Sequence, residues 1–327
     1  MEKKTVRETV TDELCALEVK KNVRYPFLSG VIRGAGELHF SLNGFIVEIR
    51  HKNREFVSLC ASVLKSMYGE EYGLDESDFA SGGEREIFYS VYLPQDKSED
   101  LLKKCRIVKD KYEFVDGIPE DFLVSNAAKR AYLRGLYLAC GSLRGPEDDG
   151  DKDKKSGGYT LSLNLNSDKV KEDVIDLLAR EAMIERESVR VKKSGNFVYI
   201  KNSEAVCNVL AALGSVQGAL DTYGIIATRQ VFNNVNRARN CDMANIDKTI
   251  KAGSAQIEAI RRLEESGVYE TLSKELKETC RLRKEHPDLG IEQLGKEFNP
   301  PVGKSCVNHR LRKLSALAAE LPDKGKE

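Results

Sequence analysis

The chain has 327 residues, with 52 Lys and Arg against 52 Asp and Glu and a hydrophobic content of 41%. That length and apolar content suit two or three domains with real cores, and no apolar run approaches the roughly 20 residues of a membrane span. Balanced charge excludes a uniformly basic chain, so any surface for a polyanion has to be local.

The first segment, MEKKTVRETVTDELCAL, is charged and amphipathic where a secretory signal would be apolar, and a cytoplasmic protein is expected. YPFLSGVIRGAGEL, Tyr25 to Leu38, then reads as an apolar helix carrying small residues. Strand-like GELHFSL and GFIVEIR follow, joined at Asn43-Gly44, a strong hairpin signal. In NREFVSLCASVLKSMYG the apolar residues Phe56, Leu59, Cys60, Val63, Leu64 and Met67 recur at helical spacing, and Gly69 stops them. Glu84 to Leu93 alternates as a strand, and Ser98 to Ile107 is helical.

The opening phrase then returns. RAYLRGLYLACGSL, Arg130 to Leu143, aligns Leu28 with Leu133, Gly30 with Gly135, Gly36 with Gly141 and Leu38 with Leu143. Such a repeat predicts a pseudo-symmetric body of two similar halves. Gly30, Gly34 and Ala35 in one copy, and Gly135, Ala139 and Cys140 in the other, would let two helices approach backbone to backbone. Downstream, YTLSLNLNS alternates as a strand, DKVKEDVIDLLAREAM reads as a helix started by Asp168, and SVRVKKS and NFVYIKN turn at Ser194-Gly195. Each half thus fits an αββαββα plan. The insert Gly145 to Gly158 has no apolar residue and predicts a mobile surface loop.

The doubled phrase resembles the LAGLIDADG homing endonucleases, whose two motif helices pack at the centre of a DNA-straddling saddle and end in metal-binding acids. At the acid position this chain has Ala35 in the first copy and Cys140 in the second. Two-metal phosphodiester cleavage needs carboxylates to hold its ions; alanine offers no ligand and a thiol is the wrong type. Glu37 lies two residues further on, but Ser142 takes the matching place in the second half, so Glu37 reads as a solvated glutamate and no catalytic residue is assigned. The eight cysteines contain no CxxC pair and the four histidines complete no ligand cluster, which predicts reduced thiols, no metal and no cofactor.

From Ile225 onward Lys and Arg exceed Asp and Glu by about four, leaving the preceding part acidic. Beyond Tyr223 the chain becomes a basic, Asn-rich helix. There Arg229, Arg237, Arg239, Lys248 and Lys251 suit phosphate contact. A connecting helix with a solvated polar face explains that composition equally well.

The last segment predicts three short helices. The first runs from about Tyr269 to Glu285 and breaks at His286-Pro287; the second puts Ile291, Leu294 and Phe298 on one face and stops at Asn299-Pro300-Pro301. The third, KSCVNHRLRKLSALAAEL, buries Val307, Leu311 and Leu314 and turns Ser305, His309 and Arg312 outward, flanked by Asn308 and Lys313. No acid lies between Val302 and Lys313, which fits a helix-turn-helix whose third member enters the major groove. Arg312 and Asn308 are the expected base readers, because Arg pairs with guanine and Asn with adenine through two hydrogen bonds. Lys304, Ser305, Arg310 and Lys313 are expected on phosphates, and His309 in either role.

With this tandem organisation the chain resembles the WhiA family, through NNVNRARNCDMANIDKTIKAG and NPPVGKSCVNHRLRKL; the family's usual serine-glycine is here Ser305-Cys306. The resemblance implies an α+β fold: a pseudo-symmetric, two-repeat LAGLIDADG-like αββαββα saddle followed by an all-α helix-turn-helix domain. The expected divisions are 1–124 and 125–224 for the two halves, 225–268 for a helical linker and 269–327 for the DNA-binding domain. The resemblance also implies a non-enzymatic, nucleoid-associated factor of transcription regulation, acting in sporulation or in cell division and chromosome segregation. Its expected partners are double-stranded DNA and, as a second class, a protein co-regulator. The competing class is a residually active, metal-dependent endonuclease.

Overall fold

A computed structural model of the chain describes residues 4–41, 44–81, 84–110, 113–146, 158–192 and 195–321. The chain forms two compact units, residues 1–229 and 230–327.

The first unit opens with α1 (Val6–Ala16), whose N-terminus is closed by a reciprocal capping box between Thr5 and Glu8. Then the predicted order appears twice. The first half contains α2 (Arg24–Ala35), β1 (Gly36–Ser41), β2 (Gly44–His51), α3 (Arg54–Tyr68), β3 (Asp75–Ser81), β4 (Glu84–Leu93) and α4 (Gln95–Lys104). The second contains α5 (Asn126–Cys140), β5 (Gly141–Arg144), β6 (Thr160–Asn164), α6 (Asp168–Glu181), β7 (Val189–Val191), β8 (Phe197–Ile200) and α7 (Ser203–Leu213). Each half has one antiparallel sheet, ordered β1-β2-β4-β3 in the first and β5-β6-β8-β7 in the second.

The repeated phrase joins the halves, because α2 and α5 form the most extensive helix pair in the molecule. A Cβ on Gly30 would lie 2.2 Å from the Tyr132 carbonyl oxygen, and one on Gly135 would lie 2.2 Å from that of Phe27. The two glycines are therefore reciprocal points of backbone approach. Around them Phe27, Leu28, Val31, Tyr132, Leu133 and Leu136 are buried in a core that both halves share.

Local chemistry fixes the element ends. Asn53 Oδ1 accepts from Phe56 N to start α3, and Gly69, at φ 77°, ends it in the left-handed conformation. The cap of α6 is Ser167 rather than Asp168: the Ser167 hydroxyl accepts from Val170 N, while the Asp168 carboxylate pairs with Lys171. Residues 42–43 and 193–194 of the two expected hairpin turns lie outside the described residues, as do 147–157 of the expected surface loop.

Helix α8 (Val216–Glu265) leaves the first unit and continues into the second. The second unit also contains α9 (Lys274–Glu285), α10 (Ile291–Lys296) and α11 (Lys304–Ala319). Its core joins Ile260 and Leu263 of α8 to Leu276, Cys280, Leu282, Leu294, Phe298, Val307, Leu311 and Leu314. The end of α8, read from sequence as linker, thus supplies a fourth wall of this domain. Tyr269 lies in a 3-10 turn, Val268–Thr271, and the expected first helix starts only at Lys274.

Candidate nucleic-acid interface

The buried row of α11 is Val307, Leu311, Leu314 and Ala318, and this fixes which side chains face outward. Ser305, His309, Arg312 and Lys313 are exposed, as is Lys304 in the first turn, and Asn308 is half-buried beside them. Arg310 stands apart, half-buried with its guanidinium carbon 5.4 Å from the centroid of the Phe298 ring. That stacking orients Arg310 at the α10–α11 junction.

Ion pairs tie up several cations of the elements around α11. Arg281 bridges Glu278 and Glu285, Arg261 bridges Glu258 and Glu265, Lys284 meets Glu264, and Lys277 meets Glu270. Among the described residues, Lys304, Arg310, Arg312 and Lys313 have no carboxylate partner. Helix α11 therefore presents uncompensated positive charge, and its diameter of about 10–12 Å suits a major groove about 12 Å wide.

The turn that holds the helices is built by a residue sequence reasoning missed. Arg283 is 2% exposed, and its Nη1 donates to the carbonyls of His286, Pro287 and Leu289 at 3.1, 3.4 and 2.8 Å. Burial lowers its pKa, partly offset by Asp288. A Cβ on Gly253 of α8 would lie 2.4 Å from the Pro287 oxygen, so α8 packs directly on this turn. Nothing in an isolated Arg among exposed basic residues signals such burial.

A cleft of about 540 Å³ adjoins the turn, and Lys248, Lys296 and Lys304 all line it. The structure thus brings together two of the expected phosphate-binding lysines, Lys248 and Lys304, and adds Lys296, which sequence reading did not single out. Arg237, Arg239 and Lys251 are exposed but do not line this cleft, and Arg229 is half-buried at the end of the first unit. At about 100° per residue, Arg237, Lys248 and Lys251 share one face of α8. Arg239 falls on the other side, among the exposed Val235, Ile246 and Ile250.

The motif-helix ends carry no carboxylate. Ala35 closes α2, packed on the core, and Cys140 closes α5 with its thiol donating to the Leu136 oxygen at 3.3 Å. Burial pushes the Cys140 thiol up to about 12, so it stays protonated at neutral pH. Ser142, in the place corresponding to Glu37, bonds Ser162 at 2.8 Å instead of reaching a helix end.

Residues 235–318 match the profile described as the WhiA C-terminal HTH domain, and residues 24–77 and 129–231 match the WhiA LAGLIDADG-like domain. A protein of Thermoanaerobacter sp. (strain X514) described as "Probable cell division protein WhiA" is 31% identical over 308 residues, 91% of each chain. A protein of the same description from Clostridium botulinum (strain Hall) is 29% identical over 316 residues, 95% of this chain and 97% of the relative. The crystal structure titled full-length DUF199/WhiA from "Thermatoga maritima" superposes with a TM-score of 0.55 at 20% identity, covering 98% of this chain and all of that one, which establishes a common fold. With a degenerate LAGLIDADG-like body, a C-terminal helix-turn-helix and relatives alike over nearly their whole length, the chain belongs to the WhiA family.

Proposed function

We propose that the protein binds double-stranded DNA sequence-specifically through α11 and acts as a non-enzymatic regulator of transcription in the nucleoid. Two curated relatives are described as probable cell division proteins, which supports cell division as the process served. Chromosome segregation or sporulation is the finer assignment we extend to this chain. Arg312 and Asn308 read bases, while Lys304, Ser305, Arg310 and Lys313 hold phosphates and His309 serves in either role. Arg237, Lys248 and Lys251 offer one further phosphate-facing strip, and Arg229 and Arg239 act as separate phosphate ligands. The observation that carries the reading is the outward face of α11, where Lys304, Arg312 and Lys313 have no carboxylate partner among the described residues, while ion pairs tie up Arg261, Lys277, Arg281 and Lys284 on the neighbouring elements.

The absence of acids at Ala35 and Cys140 supports a body without endonuclease activity, leaving it free to dock a protein co-regulator. Two measurements test these points. Crosslinking and sequencing of bound genomic DNA should return a defined motif for the intact protein, and Arg312→Ala should blur that motif; equal losses on specific and random DNA would remove Arg312 from base readout. Supercoiled DNA incubated with the protein and Mg²⁺ or Mn²⁺ should stay intact. Nicking abolished by Glu37→Gln would instead establish the endonuclease alternative.

A further inference from the structure

The strongest unassigned chemistry lies on the outer face of the first sheet. In the β1–β2 register Glu37 stands directly opposite Glu48, and His39 lies two residues from Glu37 on the same face. One ligand atom from each of Glu37, His39 and Glu48 falls within 4.8 Å of the others. Glu48 is an unusual carboxylate for a sheet face, with a side chain only 5% exposed. Its Oε1 accepts from Ser90 Oγ at 2.5 Å and from Tyr92 OH at 2.9 Å, and its Oε2 lies 2.6 Å from His39 Nε2.

We infer that Glu37, His39 and Glu48 form a binding site for a divalent transition-metal ion of the zinc class. Three features of the cluster support it. Carboxylates directly opposite on paired strands repel, and a dication between Glu37 and Glu48 relieves that repulsion. Next, Ser90 and Tyr92 hold one oxygen of Glu48 and leave the other toward His39, the kind of outer partner that orients a metal-bound carboxylate. The donor set, one imidazole nitrogen and two carboxylate oxygens, matches borderline divalent ions and leaves a coordination position for water.

Entry of the ion requires modest movement. Donors about 2.0–2.2 Å from a tetrahedral ion stand roughly 3.4 Å apart. The exposed Glu37 side chain therefore closes inward, while His39 and Glu48 part by under about 1 Å. The Nε2 proton that His39 shares with Glu48 leaves to solvent or is carried on Nδ1, so that the nitrogen lone pair faces the metal.

The second half serves as an internal control. Aligning Gly36 with Gly141 puts Ser142 where Glu37 stands and Arg144 where His39 stands, and Ser162 faces Ser142 as Glu48 faces Glu37. Tyr199 opposes Ser162 just as Tyr92 opposes Glu48. The scaffold is thus repeated, but only the first copy carries metal donors. This assignment is independent of DNA binding by α11.

The test uses the full chain freed of metal by a chelator. Calorimetric titration with Zn²⁺ should give one ion per chain, and Co²⁺ should give visible d–d absorption without a thiolate charge-transfer band. His39→Gln and Glu37→Gln should each weaken binding at least tenfold, and Glu37→Gln, at an exposed position, should do so while leaving the thermal melt of the metal-free protein unchanged. Replacing the exposed Cys241 and Cys306 by Ser should leave binding intact. No bound ion, binding indifferent to His39→Gln, or a thiolate band abolished with the cysteines would each overturn the assignment.

Discussion

At the scale of single residues, the reciprocal glycines make the most exacting demand. Because the atoms a Cβ would meet at Gly30 are backbone atoms of Tyr132 and Leu136, no rotamer change can make room. Gly30→Ala should therefore cost about 2–3 kcal/mol and lower the melting temperature of the first unit by roughly 5–10 °C. Gly73→Ala, with nothing within 4 Å of the added carbon, should stay within about 0.5 kcal/mol of wild type in the same scan. These glycines are legible in sequence because the repeat writes the same constraint twice. Glu13 is not. It accepts hydrogen bonds from Ser215 Oγ and from the backbone N–H groups of Val216, Gln217 and Gly218, about two hundred positions away, and so caps α8 from α1. Burial alone would raise its pKa, but these four donors hold it below the usual carboxylate value. A lowered folded-state pKa gives stability that is present above the unfolded value and lost as pH falls through the folded one. Glu13→Ala should therefore lower the melting temperature by a few degrees at pH 7, as loss of a cap worth about 1 kcal/mol does. The gap from wild type should narrow as pH drops from about 5 to 3, and a constant gap in the melting curves would show that the charge of Glu13 contributes nothing.

Elements divide by how openly their burial is written. β4 is legible over its full length, Glu84 to Leu93, because alternation marks a half-buried strand. β3, DESDFAS, carries almost no apolar pattern and exists because its backbone pairs with β4 at the edge of the sheet. β5 is hidden inside the repeated phrase, since four residues after an apolar helix give no period of their own. The face of α11 follows from its spacing, whereas the cleft beside it is a tertiary fact: Lys248, Lys296 and Lys304 come from three helices. Grouped lysines there should act through phosphate charge and not through base identity. Lys296→Ala and Lys304→Ala are each expected to weaken specific and random duplexes alike and to reduce the slope of log K against log salt by about 0.9 for each phosphate left without its lysine. Fluorescence anisotropy over a salt series checks this; an unchanged slope would place the cleft away from the DNA.

For the whole molecule, the decisive property is that the buried apolar side chains among the described residues fall into two clusters. One core runs from Val6 to Leu213 and joins both αββαββα halves, whereas the other begins at Ile260 and ends at Ala318. Between them, Val231, Phe232, Val235, Met243, Ile246 and Ile250 of α8 are all at least half exposed. A helical stretch whose apolar side chains stay at least half exposed transmits little cooperativity, because helices owe most of their stability to tertiary packing. The two cores should therefore melt separately in calorimetry. Leu311→Ala, which empties a side-chain position 2% exposed, should lower only the transition of the second unit, by about 2–5 kcal/mol, and take DNA binding with it. Leu136→Ala, at a fully buried position on α5, should lower only the transition of the first unit and leave the intrinsic DNA affinity of the second intact below that transition. If either substitution moved both transitions together, the two units would fold as one cooperative body.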